Sequence, residues 1–231
     1  YACLNILNRD GVNISTVEDP VEIFMHGINQ VNINEKAGIS FAMALRAFLR
    51  QDPDILMVGE IRDLDTADIA VKAAQTGHLV LSTLHTNDAT MALTRLMQMG
   101  VTPYNVAASV NLIVAQRLVR QLCNCKQPVK LDEYLLKSAG MNDSQAKQID
   151  WQAFAPNGCS HCYGTGYVGR IGIFQVVPVS LAMQSLIARN ASAQELSELA
   201  QQEGYMNLRQ AGLCKVRSGI TSLAEVMTAT L

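Results

Sequence analysis

Glu60 is the residue whose position in the sequence first indicates chemistry. In the stretch QDPDILMVGEIRD, the short apolar run Ile55–Val58 is followed at once by Gly59 and Glu60. In an α/β protein, a carboxylate directly after a buried strand lies at the carboxyl edge of the sheet, where ligands bind. There it can hold Mg²⁺ through water or polarise a water that attacks a phosphate. The pattern predicts that Glu60 activates a hydrolytic water, although a solvated loop carboxylate fits equally well.

A second pair of acids follows another predicted strand. Glu18 and Asp19 end the apolar part of STVEDPVEI, and Pro20 stops strand pairing there because it lacks an N–H donor. We expect both carboxylates at the same sheet edge as Glu60. An acid-rich turn is the plain alternative, but two acidic strand ends in one sheet favour a metal–phosphate site.

Two histidines bracket a third apolar run in TGHLVLSTLHTN. Their spacing places His78 and His85 at opposite ends of a strand, with His85 at the carboxyl end. A neutral histidine there can hydrogen-bond a γ-phosphate, although a structural histidine is the commoner case. The sequence has no G-x-S-x-G motif, so Ser82 and Thr83 beside His85 do not predict a hydrolase triad.

Three arginines have spacings that suit phosphate binding. Arg46 and Arg50 are four residues apart in a predicted helix and share one face, and Arg62 follows Glu60 by two residues. A guanidinium fork matches phosphate oxygens. Exposed arginines paired with local acids fit the same spacing, and both interpretations stay open.

Four of the six cysteines form two close pairs, Cys123-Asn-Cys125 and Cys159-Ser-His-Cys162. Four thiolates can close a tetrahedral structural Zn²⁺ site. The first pair is one residue shorter than the usual CxxC spacing, which strains ligation by both of its sulfurs, and His161 is a possible substitute ligand. Four unpaired thiols in a reducing compartment are the alternative.

The elements that must position these residues alternate between strands and helices. Strands are predicted at Val12–Val17, Ile55–Val58 and Leu79–Leu84, and helices at Ser40–Arg50 and Asp65–Gln75, the last with Asp65 as its cap. This alternation predicts a parallel α/β sheet.

The remaining pattern predicts a peripheral strand or hairpin at Gly27–Asn34 and helices at Ala89–Met99 and Pro103–Leu122. From Pro178 onward the chain is predicted to be helical, with capping boxes beginning at Ser192 and Ser222. We expect domain boundaries near residues 120 and 170.

The composition excludes several classes of protein. The 231 residues are 49% hydrophobic and 16% charged, as in an ordinary folded chain. A net charge of -2 argues against binding nucleic acid by bulk charge. No apolar stretch approaches the roughly 18 residues that a membrane-spanning helix needs.

The phosphate-binding loop that should accompany such a site is not found in the sequence. A Walker A loop has the pattern G-x-x-x-x-G-K-[ST], and no Gly-Lys pair occurs in the chain. Tyr1–Asn8 has the character of the end of a helix that follows such a loop. We therefore expect a fragment that starts just after the loop and that by itself binds nucleotide weakly and is inactive.

Several motifs together resemble one known family. STVEDPVEI resembles its Asp box, LRQDPDILMVGEIRD its Walker B motif and TGHLVLSTLHTN its His box. AQRLVRQLC, GCSHC and GYVGRIGIFQV resemble its zinc module. The family is that of the PilB-type type IV pilus assembly ATPases, in the secretion ATPase superfamily shared with type II secretion ATPases. Retraction ATPases lack the cysteine module, and GINQVNIN leans toward the pilus branch.

The resemblance implies a RecA-like core over residues 1–120 without its P-loop strand and loop, a zinc module over 121–170 and a small helical subdomain over 171–231. It implies a cytoplasmic homo-hexameric motor that uses ATP, Mg²⁺ and Zn²⁺ and acts on an inner-membrane platform protein, peripheral to the membrane and without nucleic acid. The alternatives are a type II secretion ATPase and a truncated, non-catalytic zinc-bearing interaction module.

The resemblance also assigns roles to the residues singled out above. Glu60 is implied to be the catalytic glutamate, with further catalytic residues at Glu18, His85 and Arg62. The implied nucleotide- and Mg²⁺-binding residues are Asp19, Arg46, Arg50 and His78, with some arginines reaching across a subunit boundary. The zinc ligands are implied to be Cys123, Cys125, Cys159 and Cys162.

Overall fold

The computed structural model describes residues 1–140 and 152–230. The helices are α1 Ala2–Leu7, α2 Phe41–Phe48, α3 Leu64–Gln75, α4 Ala89–Gln98, α5 Pro103–Ser109, α6 Glu133–Ser138, α7 Leu181–Ala188, α8 Ala193–Gln202, α9 Leu208–Arg217 and α10 Leu223–Ala229. The strands are β1 Ile14–Glu18, β2 Asn29–Asn32, β3 Ile55–Val58, β4 Leu79–Ser82, β5 Leu112–Leu122, β6 Gln127–Lys130, β7 Gln152–Ala155 and β8 Tyr167–Pro178. Short 3₁₀ turns occur at Glu35–Ala37 and Ser160–Cys162.

The chain forms two compact units. The first unit comprises Tyr1–Thr86, Thr90–Asn111 and Val179–Leu196. The second comprises Asn87–Ala89, Leu112–Pro178 and Ser197–Leu231. The division into three parts at residues 120 and 170 stays a prediction, and residues 141–151 of its middle part lie outside the described residues.

The first unit contains the predicted parallel sheet, with strand order β2-β1-β3-β4. All neighbouring strands in it are parallel, with Val17 opposite Val58 and Val58 opposite Ser82. The β3 prediction is confirmed residue for residue, and the strand predicted at Gly27–Asn34 is the peripheral strand β2. All five residues of β1 are buried, because β1 lies between two strands and is covered on both faces.

The two faces of the sheet carry separate apolar clusters. On one face, Leu45 of α2 and Ile69 of α3 pack with Val17, Leu56 and Val58. On the other face, the cluster consists of Leu4 of α1 with Ile14, Ile28 and Ile55. Fully burying a side chain such as Leu45 contributes about 1.5–3 kcal/mol. The two clusters fix the strands in register and thereby hold their carboxyl ends side by side.

Both predicted helices that flank β3 are present. Ser40 caps α2 by accepting a hydrogen bond from the Met43 N–H at 3.2 Å. The predicted cap Asp65 of α3 is wrong: Asp63 is the cap, and its Oδ1 accepts from the Thr66 N–H at 2.8 Å. A cap must reach the N–H group three residues ahead, which Asp63 does from an extended backbone, whereas Asp65 already lies inside the first turn.

The helix predicted over Pro103–Leu122 is half wrong. Residues Pro103–Ser109 form α5, but Leu112–Leu122 form the strand β5, which pairs antiparallel with β8. Buried and exposed residues alternate along most of β5, which is the period of a strand. The apolar residues of this segment are also spaced as on a helix, so only pairing with β8 selects the strand.

The second unit also contains the strands β6 and β7, the helices α6, α9 and α10, and the C-terminal part of α8. β6 and β7 form an antiparallel pair. Val216 of α9 and Val226 of α10 pack with Ala153 of β7. The chain after Pro178 is helical as predicted, and Ser192 and Glu195 form the reciprocal capping box at the start of α8. Ser222 caps α10 at 3.3 Å, but the Glu225 carboxylate binds Arg120 instead of the cap.

Among the described residues, no helix is both long enough and apolar enough to cross a bilayer.

Candidate functional site

The carboxyl ends of β1, β3 and β4 meet at one edge of the first unit's sheet. The Gly59 N–H donates to the Val17 carbonyl at 2.8 Å, and the Ile61 N–H donates to the Thr83 carbonyl at 3.1 Å. A Cβ on Gly59 would lie 3.2 Å from the Val17 oxygen and 3.3 Å from the Glu18 Cα. Glycine at this position therefore lets the segment that carries Glu60 pass close to the end of β1.

Glu60 is held between two cationic or polar partners. Arg62 Nη2 donates to Glu60 Oε1 at 2.5 Å, and His85 Nε2 lies 3.0 Å from Glu60 Oε2. The Arg62 hydrogen bond lowers the pKa of Glu60, with His85 acting in the same direction and partial burial opposing both. Glu60 is thus an ionised carboxylate at neutral pH, which a residue that accepts a proton from water requires.

Asp19 joins the same group of side chains through Arg62. The Arg62 Nη1 lies 3.4 Å from Asp19 Oδ2, while its Nη2 binds Glu60. One guanidinium therefore spans the acids that follow β1 and β3. The His85 side chain is 90% exposed and that of Arg62 is 56% exposed, so both can reach a ligand at this edge.

Glu18 lies next to Asp19 but is buried, with 4% of its surface exposed. Its Oε1 accepts from Thr16 Oγ1 at 2.6 Å and from Gln30 Nε2 at 3.2 Å, and its Oε2 accepts from the Tyr1 hydroxyl. The sequence interpretation missed Tyr1, Thr16 and Gln30. Thr16 and Gln30 lie opposite each other in the parallel register of β1 and β2, which only the structure shows.

The other predicted nucleotide-binding residues are not brought to Glu60 within this chain. His78 precedes β4 at the amino edge of the sheet, where its Nδ1 lies 3.0 Å from the Ala73 carbonyl. Arg46 and Arg50 are exposed. Arg50 adjoins Gln51, whose carbonyl accepts from Asn13 Nδ2 at 2.9 Å, also at the amino edge. Nucleotide binding by these three residues stays a prediction.

The second unit contains a group of four cysteines that could hold a metal ion, with all four Sγ atoms within 4.8 Å of one another. The Cys123–Cys159 and Cys125–Cys162 Sγ distances are both 3.8 Å, and the Cys159–Cys162 distance is 3.7 Å. The short CxC spacing therefore does not keep Cys125 out of the group. His161 is exposed and is not part of the ligand group found among the described residues.

Backbone N–H groups around Cys162 favour its thiolate. Those of Cys159 and Gly166 donate to Cys162 Sγ at 3.1 and 3.2 Å. Burial raises the pKa of Cys162, but these donors and the neighbouring cysteines outweigh it and lower the pKa to about 6. Burial, opposed by the Gly158 N–H and reinforced by the other cysteines, raises the pKa of Cys125 to about 11. A metal ion that displaces the thiol protons would be bound by all four sulfurs as thiolates.

The backbone at the knuckle needs glycine. Gly166 has φ +77°, and a Cβ there would lie 2.4 Å from the Pro156 Cβ. Gly158 has φ +96°, and its Cβ would lie 2.7 Å from the Gly164 carbonyl oxygen. Both glycines fold the loop tightly enough to bring the second cysteine pair to the first.

The described residues thus combine a parallel α/β unit that has an acidic carboxyl edge with a second unit that carries a tetracysteine group. The family described as Type II/IV secretion system protein matches residues 1–228, and the chain belongs to this family. The sequence is 53% identical over 231 residues to the type IV pilus assembly ATPase PilB of Acinetobacter baylyi, covering 100% of this chain and 40% of the relative. The resemblance to the pilus assembly ATPases is confirmed.

Two further comparisons agree with this assignment. Type II secretion system protein E of Pseudomonas aeruginosa is 46% identical over 231 residues, covering 100% of this chain and 45% of the relative. A crystal structure of the pilus retraction motor PilT with bound ADP superposes with a TM-score of 0.70 at 27% identity, over 98% of this chain and 55% of that chain. The chain thus spans 40% of the length of PilB and 45% of the length of protein E, the two curated relatives.

Proposed function

We propose that the intact protein carrying this chain is a cytoplasmic, hexameric motor ATPase that powers type IV pilus assembly. The observation that carries the proposal is Glu60, which follows β3 through Gly59 and is held ionised by Arg62 and His85. The identity to PilB and the resemblance of the three strand-end motifs support the same reading. An inner-membrane platform protein is the proposed partner, and the 231-residue chain alone is proposed to be inactive.

Each residue at the acidic edge has a chemical task in this proposal. Glu60 orients and polarises the water that attacks the γ-phosphate of ATP, and Arg62 keeps its carboxylate ionised and in place. Asp19 and Glu18 would hold Mg²⁺, directly or through its bound water, because Mg²⁺ prefers oxygen ligands. Bound Mg²⁺ would neutralise the charge that develops on the phosphate oxygens. His85, which follows β4, hydrogen-bonds both Glu60, which follows β3, and the phosphate end of the nucleotide. Nucleotide binding thereby affects the ends of both strands.

Two exposed arginines are available for contacts with a neighbouring subunit of the proposed ring. Arg46 and Arg50 are exposed and carry no ion pair in the part of the chain that the structure describes. We propose that they reach phosphate oxygens of a nucleotide held by a neighbouring subunit. His78 is proposed to assist nucleotide binding from the amino edge of the sheet.

The decisive experiment is Glu60→Gln in the intact protein. The amide cannot accept a proton from water, so ATP binding should persist while turnover falls by about 100-fold or more. Glu35→Gln, an exposed acid of the same unit, is the matched control and should leave turnover unchanged. Turnover at the wild-type rate in Glu60→Gln would remove Glu60 from this role. Absence of ATP turnover in the wild-type intact protein would instead favour the non-catalytic interaction module.

Deleting the gene tests whether the protein serves pilus assembly or type II secretion. Loss of surface pili with normal protein secretion supports the pilus motor. Loss of secretion with normal pili would instead assign the protein to type II secretion, whose protein E from Pseudomonas aeruginosa is 46% identical to this chain.

We also propose that the four cysteines hold one Zn²⁺. A tetrahedral Zn²⁺ with bonds of about 2.3 Å places its sulfurs about 3.8 Å apart. Three of the sulfur–sulfur distances, at 3.7 and 3.8 Å, match this value, and all four sulfurs lie within 4.8 Å of one another. All four positions are filled by protein, so the ion would be structural. Elemental analysis should find about one zinc per chain, and a zinc-free protein with a folded second unit would dismiss the site.

A further inference from the structure

We propose that Tyr1 is a positioning residue for Glu18. Its hydroxyl fixes both the Glu18 carboxylate and the loop that begins with Asp19. The inference rests on the proposed function, because it assigns Tyr1 a part in the same acidic edge. Gln30 acts in the same way from the opposite side of the carboxylate.

The burial of Glu18 is the first step in this argument. A carboxylate with 4% exposure is stable only if donors replace the water it has lost. Three donors do so: Thr16 and Gln30 on Oε1, and Tyr1 on Oε2. A carboxylate oxygen has about two acceptor sites. Among the described residues, Oε1 is therefore filled, while Oε2 keeps one site open for a ligand such as metal-bound water.

The second step is the double role of the Tyr1 hydroxyl. It donates to Glu18 Oε2 and accepts from the Glu22 N–H at 3.0 Å. Partial burial and the bond to Glu18 raise the pKa of Tyr1, so the phenol stays protonated and remains a donor at neutral pH. One oxygen atom thus joins the end of β1 to the loop that follows it.

Gln30 holds the same loop from β2. Its Nε2 donates to Glu18 Oε1 at 3.2 Å and to the Ile23 carbonyl at 3.0 Å. Its Oε1 accepts from the Met25 N–H at 2.6 Å. Thr16 lies in the same strand as Glu18 and can set only its rotamer, whereas Tyr1 and Gln30 reach it from α1's N-terminal side and from β2. These two residues therefore fix the carboxylate relative to the rest of the unit.

The position of this loop also affects Asp19, Arg62 and Glu60 at the carboxyl edge of the sheet. The loop held by Tyr1 and Gln30 starts at Asp19, which pairs with Arg62, which in turn binds Glu60. If the loop shifts, Asp19 and the open site of Glu18 Oε2 move away from their places. A loss of orientation of this kind lowers the rate of the chemical step more than it weakens nucleotide binding.

The packing role of the Tyr1 ring can be tested separately from the positioning role of its hydroxyl. The ring packs against the cluster of Leu4 and Ile14, and a phenylalanine would keep that contact. Tyr1→Phe therefore deletes only the hydroxyl. Tyr104→Phe is the matched control, because Tyr104 is 74% exposed and lies in the same unit.

The experiment measures single-turnover ATP hydrolysis and ATP affinity in the intact protein. Tyr1→Phe should lower the hydrolysis rate about tenfold, as expected for loss of a hydrogen bond to a charged group. ATP affinity should stay within about twofold and Tm within about 3 °C, while Tyr104→Phe changes none of these. Gln30→Met should show the same pattern as Tyr1→Phe.

The role through Glu18 is tested by a double-mutant cycle. In a Glu18→Gln background, adding Tyr1→Phe should change the rate by less than about twofold, because the group that Tyr1 positions is already lost. Equal effects in both backgrounds, or full activity of Tyr1→Phe, would overturn the inference. If Glu60→Gln is inactive but Tyr1→Phe is fully active, only this inference fails. If Glu60→Gln is fully active, the proposed function fails.

Discussion

Arg62 Nη2 donates to Glu60 Oε1 at 2.5 Å, two residues along the same segment. The contact is local in sequence, but it also depends on β1, because the other arm of Arg62 is held at 3.4 Å by Asp19. Arg62 therefore keeps Glu60, the proposed proton acceptor, ionised. The position of Arg62 is set in turn by Asp19, which follows β1. This arrangement sets the pH range in which the proposed hydrolysis can operate.

Arg62→Gln should shift the acid limb of the pH–rate profile to higher pH. Arg62 is the main cause of the lowered pKa of Glu60, so its removal lets that pKa rise. Glu60 acts as a base only when ionised, and in the variant it becomes protonated at a higher pH on acidification. The measurement is ATP hydrolysis by the intact protein from pH 4.5 to 8. Arg189→Gln serves as control, and an unmoved acid limb in Arg62→Gln would contradict the assignment.

Cys125→Ser should release the metal and destabilise the second unit. The free energy of unfolding should fall by about 4 kcal/mol or more, the size expected for loss of a structural metal. Zinc content and urea denaturation check the two effects together, and a strong chelator should reproduce them in the wild type. Cys214 is exposed and lies outside the cluster, so Cys214→Ser should retain both metal and stability. Equal stability of the two variants would argue against a structural ion.

Stability of the second unit should depend on pH through Glu225. The Glu225 Oε1 accepts from Arg120 Nη2 at 2.6 Å, which lowers the pKa of Glu225, with burial opposing and the Arg120 N–H reinforcing the shift. A lowered folded-state pKa stabilises the protein above the unfolded value of about 4.3. This contribution is lost as the pH falls through the folded pKa.

Arg120→Met removes that contribution. Its unfolding midpoint in urea should lie below that of the wild type at pH 7. This difference between the midpoints should narrow as the pH falls below about 4.3, the pKa of free glutamate. Arg120 also lies 4.2 Å from the centre of the Tyr167 ring, and the methionine stem keeps part of this packing. A gap that is independent of pH would mean that packing, and not the ion pair, is responsible.

Two serine-to-alanine substitutions in the first unit should have opposite effects. The buried Ser15 Oγ has no hydrogen-bond partner in the described part of the chain, so Ser15→Ala should raise the free energy of unfolding by about 1 kcal/mol. Ser40 caps α2, and Ser40→Ala should lower it by about 1 kcal/mol. Chemical denaturation of both variants against the wild type checks the signs. Destabilisation by Ser15→Ala would reveal a partner for its hydroxyl, such as an ordered water.

Much of the first unit was predictable because its signals are local. Apolar runs buried on both faces gave β1 and β3, and Ser40 marked the start of α2. The strand at Leu112–Leu122 was not predictable, since its long apolar pattern fits a helix until β8 pairs with it. The α3 cap was misplaced by two residues, because Asp63 and Asp65 are the same residue type and both lie near the start of that helix.

The sequence by itself determined which groups can act: a carboxylate after a buried strand, an arginine two residues later, and four cysteines in two pairs. Only the tertiary structure decided which of them meet. Parallel pairing of β1, β3 and β4 brings Asp19, Glu60 and His85 to one edge, and the same pairing leaves His78 at the other. It also buries Glu18 and so requires Tyr1 and Gln30 as donors, which no local pattern could indicate, because a buried charge takes its partners from wherever the fold supplies them.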